Sequence, residues 1–262
     1  QASQRLVVEA GARVDVSVRG YARGTSSSPN GSAPPGVRGS EPDAGGSHGG
    51  IGEGRDFRGQ GKGGDVFGSV VYPSLGGGGS SYTNASTFGG GVAVLRAPEV
   101  VLDGEVLSRE SHLAFPGDFP RGAGGSVWIE ADVLRGVGRI DASGWTGGDS
   151  SFSKPGGGGR VALHVGQFLG FDPDGQVNAA GGWNSAVSAG AGTIFVREGG
   201  PTYGRLILDG GRIGVPTAAI LPTPLPLLGA GAVGSISVSG DETLIVPSTG
   251  SFSINWPGAW MV

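Results

Sequence analysis

Four short segments of this chain repeat at a nearly fixed interval, and that interval limits what the chain can become. They are Gly91-Val92-Ala93-Val94-Leu95-Arg96-Ala97, Gly125-Ser126-Val127-Trp128-Ile129-Glu130-Ala131, Gly159-Arg160-Val161-Ala162-Leu163-His164-Val165 and Gly192-Thr193-Ile194-Phe195-Val196-Arg197. The leading glycines stand 34, 34 and 33 positions apart. Each segment follows a glycine cluster and alternates as a half-buried strand does. A second strand recurs within each unit: Gly104-Glu105-Val106-Leu107, Gly138-Arg139-Ile140-Asp141, Gly175-Gln176-Val177-Asn178 and Gly211-Arg212-Ile213-Gly214, with an earlier copy at Ala12-Arg13-Val14-Asp15-Val16. The longer step from Ile140 to Val177 is absorbed by the loop Phe171-Asp172-Pro173-Asp174.

Aligned in this way, the columns have consistent chemistry. Ala93, Val127, Val161 and Ile194 fall together, as do Leu95, Ile129, Leu163 and Val196, and then Ala97, Ala131 and Val165. All are apolar and lie on one face of an alternating strand, which predicts a dry interior. Arg96, Glu130, His164 and Arg197 form a polar column predicted to face water. Repeating units that bury a face only against their neighbours predict an all-β fold: a parallel, right-handed β-helix or β-solenoid with coils of about 34 residues and long glycine-rich loops.

Composition bears on whether such a chain orders at all. With 57 glycines and 17 prolines in 262 residues, it lies where aperiodic sequences are of low complexity. Glycine loses the most freedom on folding, so long repetitive backbone pairing is the expected compensation. Cysteine is absent, which removes disulfides, thiol nucleophiles and Cys-based zinc sites. The net charge of −4 comes with no basic stripe, so no nucleic-acid partner is expected. No apolar run is long enough for a membrane-spanning helix. Asn30 and Asn84 each open an Asn-X-Ser sequon in a glycine/serine-rich stretch and are candidate glycosylation sites.

Read in order, the motifs resemble a known group. Val14-Asp15-Val16-Ser17-Val18-Arg19-Gly20-Tyr21 leads to Gly46-Ser47-His48-Gly49-Gly50, then Phe67-Gly68-Ser69-Val70 and the tract Gly76 to Gly79. After these come Gly124-Gly125-Ser126-Val127-Trp128-Ile129, Gly157-Gly158-Gly159-Arg160-Val161-Ala162-Leu163 and Gly190-Ala191-Gly192-Thr193-Ile194-Phe195. This order is similar to that of glycine-rich secreted parallel β-helix surface proteins of bacteria, protists and plants. The resemblance spans about residues 6–213 and implies an extracellular or cell-surface location. It implies architecture far more than activity. The first motif departs from the pattern, with Val14 and Val18 where Ile and Gly are common.

The chain is therefore expected to divide into a glycine-rich solenoid, 1–213, and a remainder, 214–262. The remainder opens with Pro216, Pro222, Pro224 and Pro226, a stiff junction. It continues with strand-like Ser235-Ile236-Ser237-Val238-Ser239 and Leu244-Ile245-Val246, a cap or an assembly segment.

Chemistry-bearing constellations are sparse. His48, His112 and His164 show no metal-ligand spacing. His48 is expected to bond the backbone of its glycine-rich surroundings, and His164 to be an exposed ladder residue. No Gly-X-Ser-X-Gly spacing frames a serine convincingly as a nucleophile, and no Gly-Lys-Ser/Thr follows a glycine-rich loop as a phosphate loop would require. Asp172, Asp174 and Asn178 make half of an oxygen-rich calcium loop without its distal Glu, and the same residues also read as an ordinary turn. Apart from that candidate calcium, no cofactor is expected. Asp141 shares a column only with Leu107 and Asn178, thin material for carboxylate-pair chemistry.

The interaction candidates are aromatic. Trp128 and Phe195 share an outward column with Val94 and Ala162, which needs a cover from the long loops or from a partner. Trp145 and Trp183 occupy corresponding loops, and Trp256 lies near the end. The reading is a non-catalytic extracellular structural protein, a module of a surface fibre or adhesin that associates with itself. The alternative is a carbohydrate-binding or polysaccharide-cleaving protein, with glycans as partners.

Overall fold

The computed structural model describes residues 4–54, 62–81, 87–110, 119–144, 154–184, 187–199, 204–211, 221, 223, 233–239 and 242–247. The repeat is a strand register. Strands β3 (Val92–Arg96), β6 (Ser126–Arg135), β8 (Arg160–Leu169) and β10 (Gly192–Glu198) pair in parallel. Ala93 lies opposite Val127, Val127 opposite Val161, and Val161 opposite Ile194. With β1 (Arg5–Val8), β4 (Glu99–Leu102) and the antiparallel β11 (Arg205–Asp209), these make a seven-stranded sheet. β2 (Arg13–Asp15), β5 (Glu105–Leu107), β7 (Arg139–Asp141) and β9 (Val177–Asn178) make a four-stranded parallel sheet. Val14, Val106, Ile140 and Val177 stand in one row across it.

The two sheets close on one apolar core. Val127, Ile129, Val161, Leu163 and Ile194 of the larger sheet pack with Val106, Ile140 and Val177 of the smaller. Branched side chains at alternate positions suit this arrangement, because each pleat directs them to one face. The opposite face of the larger sheet carries a second cluster, in which Val70 and Val71 lie on Ala162 and Phe195.

The expected all-β solenoid is not what forms. The structure is mixed α/β, with two mostly parallel sheets and a short helix, and three features break a continuous coil stack. First, the Asp172 region is a helical turn, α1 (Pro173–Gln176), with Asp172 as N-cap accepting from Asp174 N, and with Pro in the first turn. Second, the chain reverses after β10. Gly199 takes φ 69°, and β11 returns antiparallel, Ile194 opposite Ile207. Third, no strand occurs among the described residues between 16 and 91.

That strandless stretch and the glycine tracts were expected as loops, and they form an ordered layer instead. Successive N–H groups reach different segments. Gly77 N donates to Gly90 O (2.8 Å), Gly78 N to Ser47 O (3.1 Å) and Gly79 N to Ser32 O (3.1 Å). Gly157 N, Gly158 N and Gly159 N donate to Gly46 O, Gly190 O and Ala142 O. A strand alternates its donors between two sides. Here three successive donors reach three different segments of the chain.

Of the expected second unit, 214–262, the described part is an antiparallel pair, β12 (Val233–Ser239) and β13 (Glu242–Pro247). Pro216, Pro222, Pro224 and Pro226 lie outside the described residues. Leu221 N donates to Ser188 O, and Thr223 Oγ1 to Ala191 O.

Candidate functional site

A cleft of about 340 Å³ lies along the edge of β9 that has no strand partner among the described residues. β7 contributes Arg139 and Asp141, β9 contributes Asn178, the following segment contributes Trp183, and β11 ends in it at Asp209. Each polar group there is held by the fold. Asp141 Oδ1 accepts from Ser143 N (3.1 Å) and Ser143 Oγ (2.6 Å), and Arg109 pairs with Oδ2 at 3.1 Å. Asn178 Oδ1 accepts from Ala180 N, and its Nδ2 points to Asp141 Oδ1 at 3.4 Å. Arg139 is paired with Glu105 at 2.6 Å. Asp209 differs: its oxygens accept from Ala179 N (2.7 Å) and Gly211 N (3.0 Å), and it has no cationic partner among the described residues.

Trp183 forms one wall. Its backbone bridges Ser188, and Asn184 closes the turn by accepting from Val187 N through Oδ1 (2.8 Å). The indole Nε1 is out of solvent and finds no hydrogen-bond partner. The cleft thus combines a half-buried aromatic ring with an oriented carboxylate.

The other sequence candidates have separate fates. Phe195 is buried beneath Val70 and Val71, so the chain itself covers the Ala162 and Phe195 end of the outward column, while Val94 stays exposed. Trp128 is half-buried, with the Arg96 guanidinium 4.0 Å over its ring and Tyr72 edge-on at 5.4 Å. Asp172, Asp174 and Asn178 do not converge. Asp172 caps α1, Asp174 pairs with Arg205 at 2.8 Å, and Asn178 turns towards Asp141. The helical turn separates them. Asn30 is exposed. Trp145, Trp256, Asn84 and His112 lie outside the described residues.

The histidines behave differently from each other. His48 is fully buried, and its Nδ1 donates to Gly124 O at 2.9 Å. Burial, reinforced by the neighbouring Arg160 cation, pushes its pKa down to about 3, so the ring is neutral. Arg160 is itself buried, donating to Phe67 O and Thr193 Oγ1, and burial lowers its pKa to about 10. His164, expected to be exposed, is buried because residues 70–72 cross over it. It bonds Val71 O through Nε2 and faces Arg197 through Nδ1.

Sequence reasoning found Trp183 and placed Asp141 beside Asn178, but it missed Arg139 and Asp209 as cleft groups. The signal for Asp209 was the apolar run Leu206-Ile207-Leu208 ended by Asp-Gly, a strand and its stop. Comparison with known proteins finds no matching family, no similar curated protein and no similar solved structure.

Proposed function

We propose that this chain is a non-catalytic structural protein of the extracellular space or cell surface, a module of a fibre or adhesin that associates with its own kind. The observation that carries the reading is the glycine layer. Its donors and acceptors are spent in fixing one backbone segment to another, which stiffens the molecule. Three buried polar side chains bond the layer in the same way: His48 and Arg160 bond its carbonyls, and Ser40 Oγ donates to Gly79 O.

Self-association is supported by open edges. Among the described residues, β1 pairs only with β4, and β2 only with β5, so the first strand of each sheet has a free side. Such edges accept another strand unless blocked. Electron microscopy and sedimentation of the purified chain test the reading. Filaments or end-to-end assemblies are expected, with no turnover in a polysaccharide hydrolysis and elimination screen. A monomer at high concentration that cleaves a polysaccharide would overturn it. Carbohydrate binding is the second reading, favoured by the ring and carboxylate at the cleft.

A further inference from the structure

We propose that the cleft between Trp183 and Asp209 is a binding site for one ring of a neutral saccharide. The inference rests on the adhesive reading above and gives it a ligand class. Its size, about 340 Å³, is at the lower end of small-molecule sites, which suits a single sugar ring and not an extended chain.

Charge selects the ligand further. Asp141 is paired with Arg109, whereas Arg139 shares Glu105 with Arg13, which leaves one cation beside the cleft to offset Asp209. Asp209 itself is not paired with a cationic side chain among the described residues, and two backbone N–H groups fix its plane. Each of its oxygens has accepted one hydrogen bond and retains a second lone pair. At Asp209 the unmet demand is for donors, which hydroxyl groups supply, and with the charges of the described residues around the cleft in balance a neutral ligand is favoured over a charged one. Trp183 provides the complementary surface, because the C–H face of a pyranose packs on an indole while its rim of hydroxyls reaches the carboxylate.

The same geometry argues against a peptide strand. β9 is two residues long, and the next backbone donor along that edge, Ala179 N, is already taken by Asp209. A chain adding itself to the sheet edge would meet a blocked ladder at its first step. The cleft is also set in advance. Gln176 bridges Asp172 N and Gly138 O, and Asn178 is clamped by Ala180 N, so little ordering is left for the ligand to drive.

Titration calorimetry with cellobiose, maltose and lactose, with glucuronate and glucosamine as charged controls, tests the site on the full chain. At least one neutral disaccharide is expected to bind, and glucuronate is not. Trp183→Ala is expected to weaken binding about tenfold and Trp183→Phe about threefold or less. Asp209→Asn, which keeps an acceptor but loses the charge, is expected to fall between them. The thermal midpoint of each variant, followed alongside, separates a lost site from a lost fold. Absence of binding by all three disaccharides, preference for either charged sugar, or wild-type affinity in a folded Trp183→Ala protein would each overturn the proposal. Cleavage of the bound disaccharide would leave the site standing and overturn the non-catalytic reading instead. Lost binding with assembly intact would do the reverse.

Discussion

The strand-built half of this molecule and its glycine layer solve the same problem in opposite ways. Between the sheets, order comes from side chains. Val127, Ile129, Val161 and Leu163 are each fully buried and touch equivalents on the neighbouring strand. In the layer, order comes from removing side chains so that backbones can approach. A Cβ on Gly50 would fall inside the van der Waals shell of Gly190 O, and one on Gly158 would overlap Ala179 O. Neither glycine has positive φ, so space and not backbone conformation requires it. The two regions should therefore respond to one added or removed methyl group with opposite preferences.

The largest expected effects test that directly. Leu163→Ala should cost about 3 kcal/mol, since it removes buried methyl groups and leaves a cavity. Gly50→Ala should cost about 3 kcal/mol or more, because the new methyl meets backbone, which cannot swing aside as a side chain does. Urea denaturation midpoints measure both. If Gly50→Ala is tolerated while Leu163→Ala is not, the glycine layer is loosely packed and the comparison fails.

A second contrast is electrostatic. The core between the sheets is apolar, whereas His48 in the layer and Glu110 after β5 are buried outside that core. Burial raises the Glu110 pKa to about 7 from its ordinary 4.5, despite Arg121 nearby. The folded chain therefore holds that proton longer than the unfolded one. This contribution to stability is complete below pH 4.5 and is lost as pH rises through 7. His48 has the opposite sign: its pKa falls from 6.5 to about 3, so its contribution is present above pH 6.5 and is lost as pH falls towards 3. Each acts with a limiting slope of about 1.4 kcal/mol per pH unit. Over the shared window the two oppose each other, and stability should be nearly flat. His48→Gln leaves Glu110 alone, so stability should then fall with rising pH across that window. Denaturation midpoints at about pH 4, 5.5 and 7.5 give the profile; parallel profiles for the variant and the wild type would sink the assignment.

What the sequence made legible follows the same division. The strand registers were readable because each inward position carries a branched or apolar side chain, and Val127, Val161 and Ile194 announce one another across 34 and 33 residues. The glycine layer was not readable as structure. A residue without a side chain leaves no trace of its partner, so Gly77 gives no hint of Gly90, or Gly157 of Gly46. Those tracts looked like loops, and with them the fold looked like an uninterrupted coil stack. The helical turn at α1 was written locally, in Asp172 followed by Pro173, but it was read as a loop insertion or a metal ligand set. At the cleft, Trp183 stood out as a ring among glycines. Asp209 did not, because its role depends on Ala179 and Gly211, which the chain brings together only when β11 turns back antiparallel.

The smallest expected effects show whether the layer's glycines are special or glycine is merely frequent. Gly36 takes φ 81° with nothing within 4 Å of an added Cβ, so Gly36→Ala meets a conformational cost alone, about 1 kcal/mol. Gly210 has neither positive φ nor a near neighbour, and Gly210→Ala should be neutral or should raise stability by about 0.5 kcal/mol by narrowing the unfolded ensemble. The predicted order of stability is thus Gly210→Ala, then Gly36→Ala, then Gly50→Ala, from one chemical change at three positions. That order follows from the space around each Cβ, modified only by φ at Gly36. A flat series would mean that glycine serves this chain as flexible filler, and an inverted one that the close backbone approaches at residues 50, 158 and 190 do not hold the layer together.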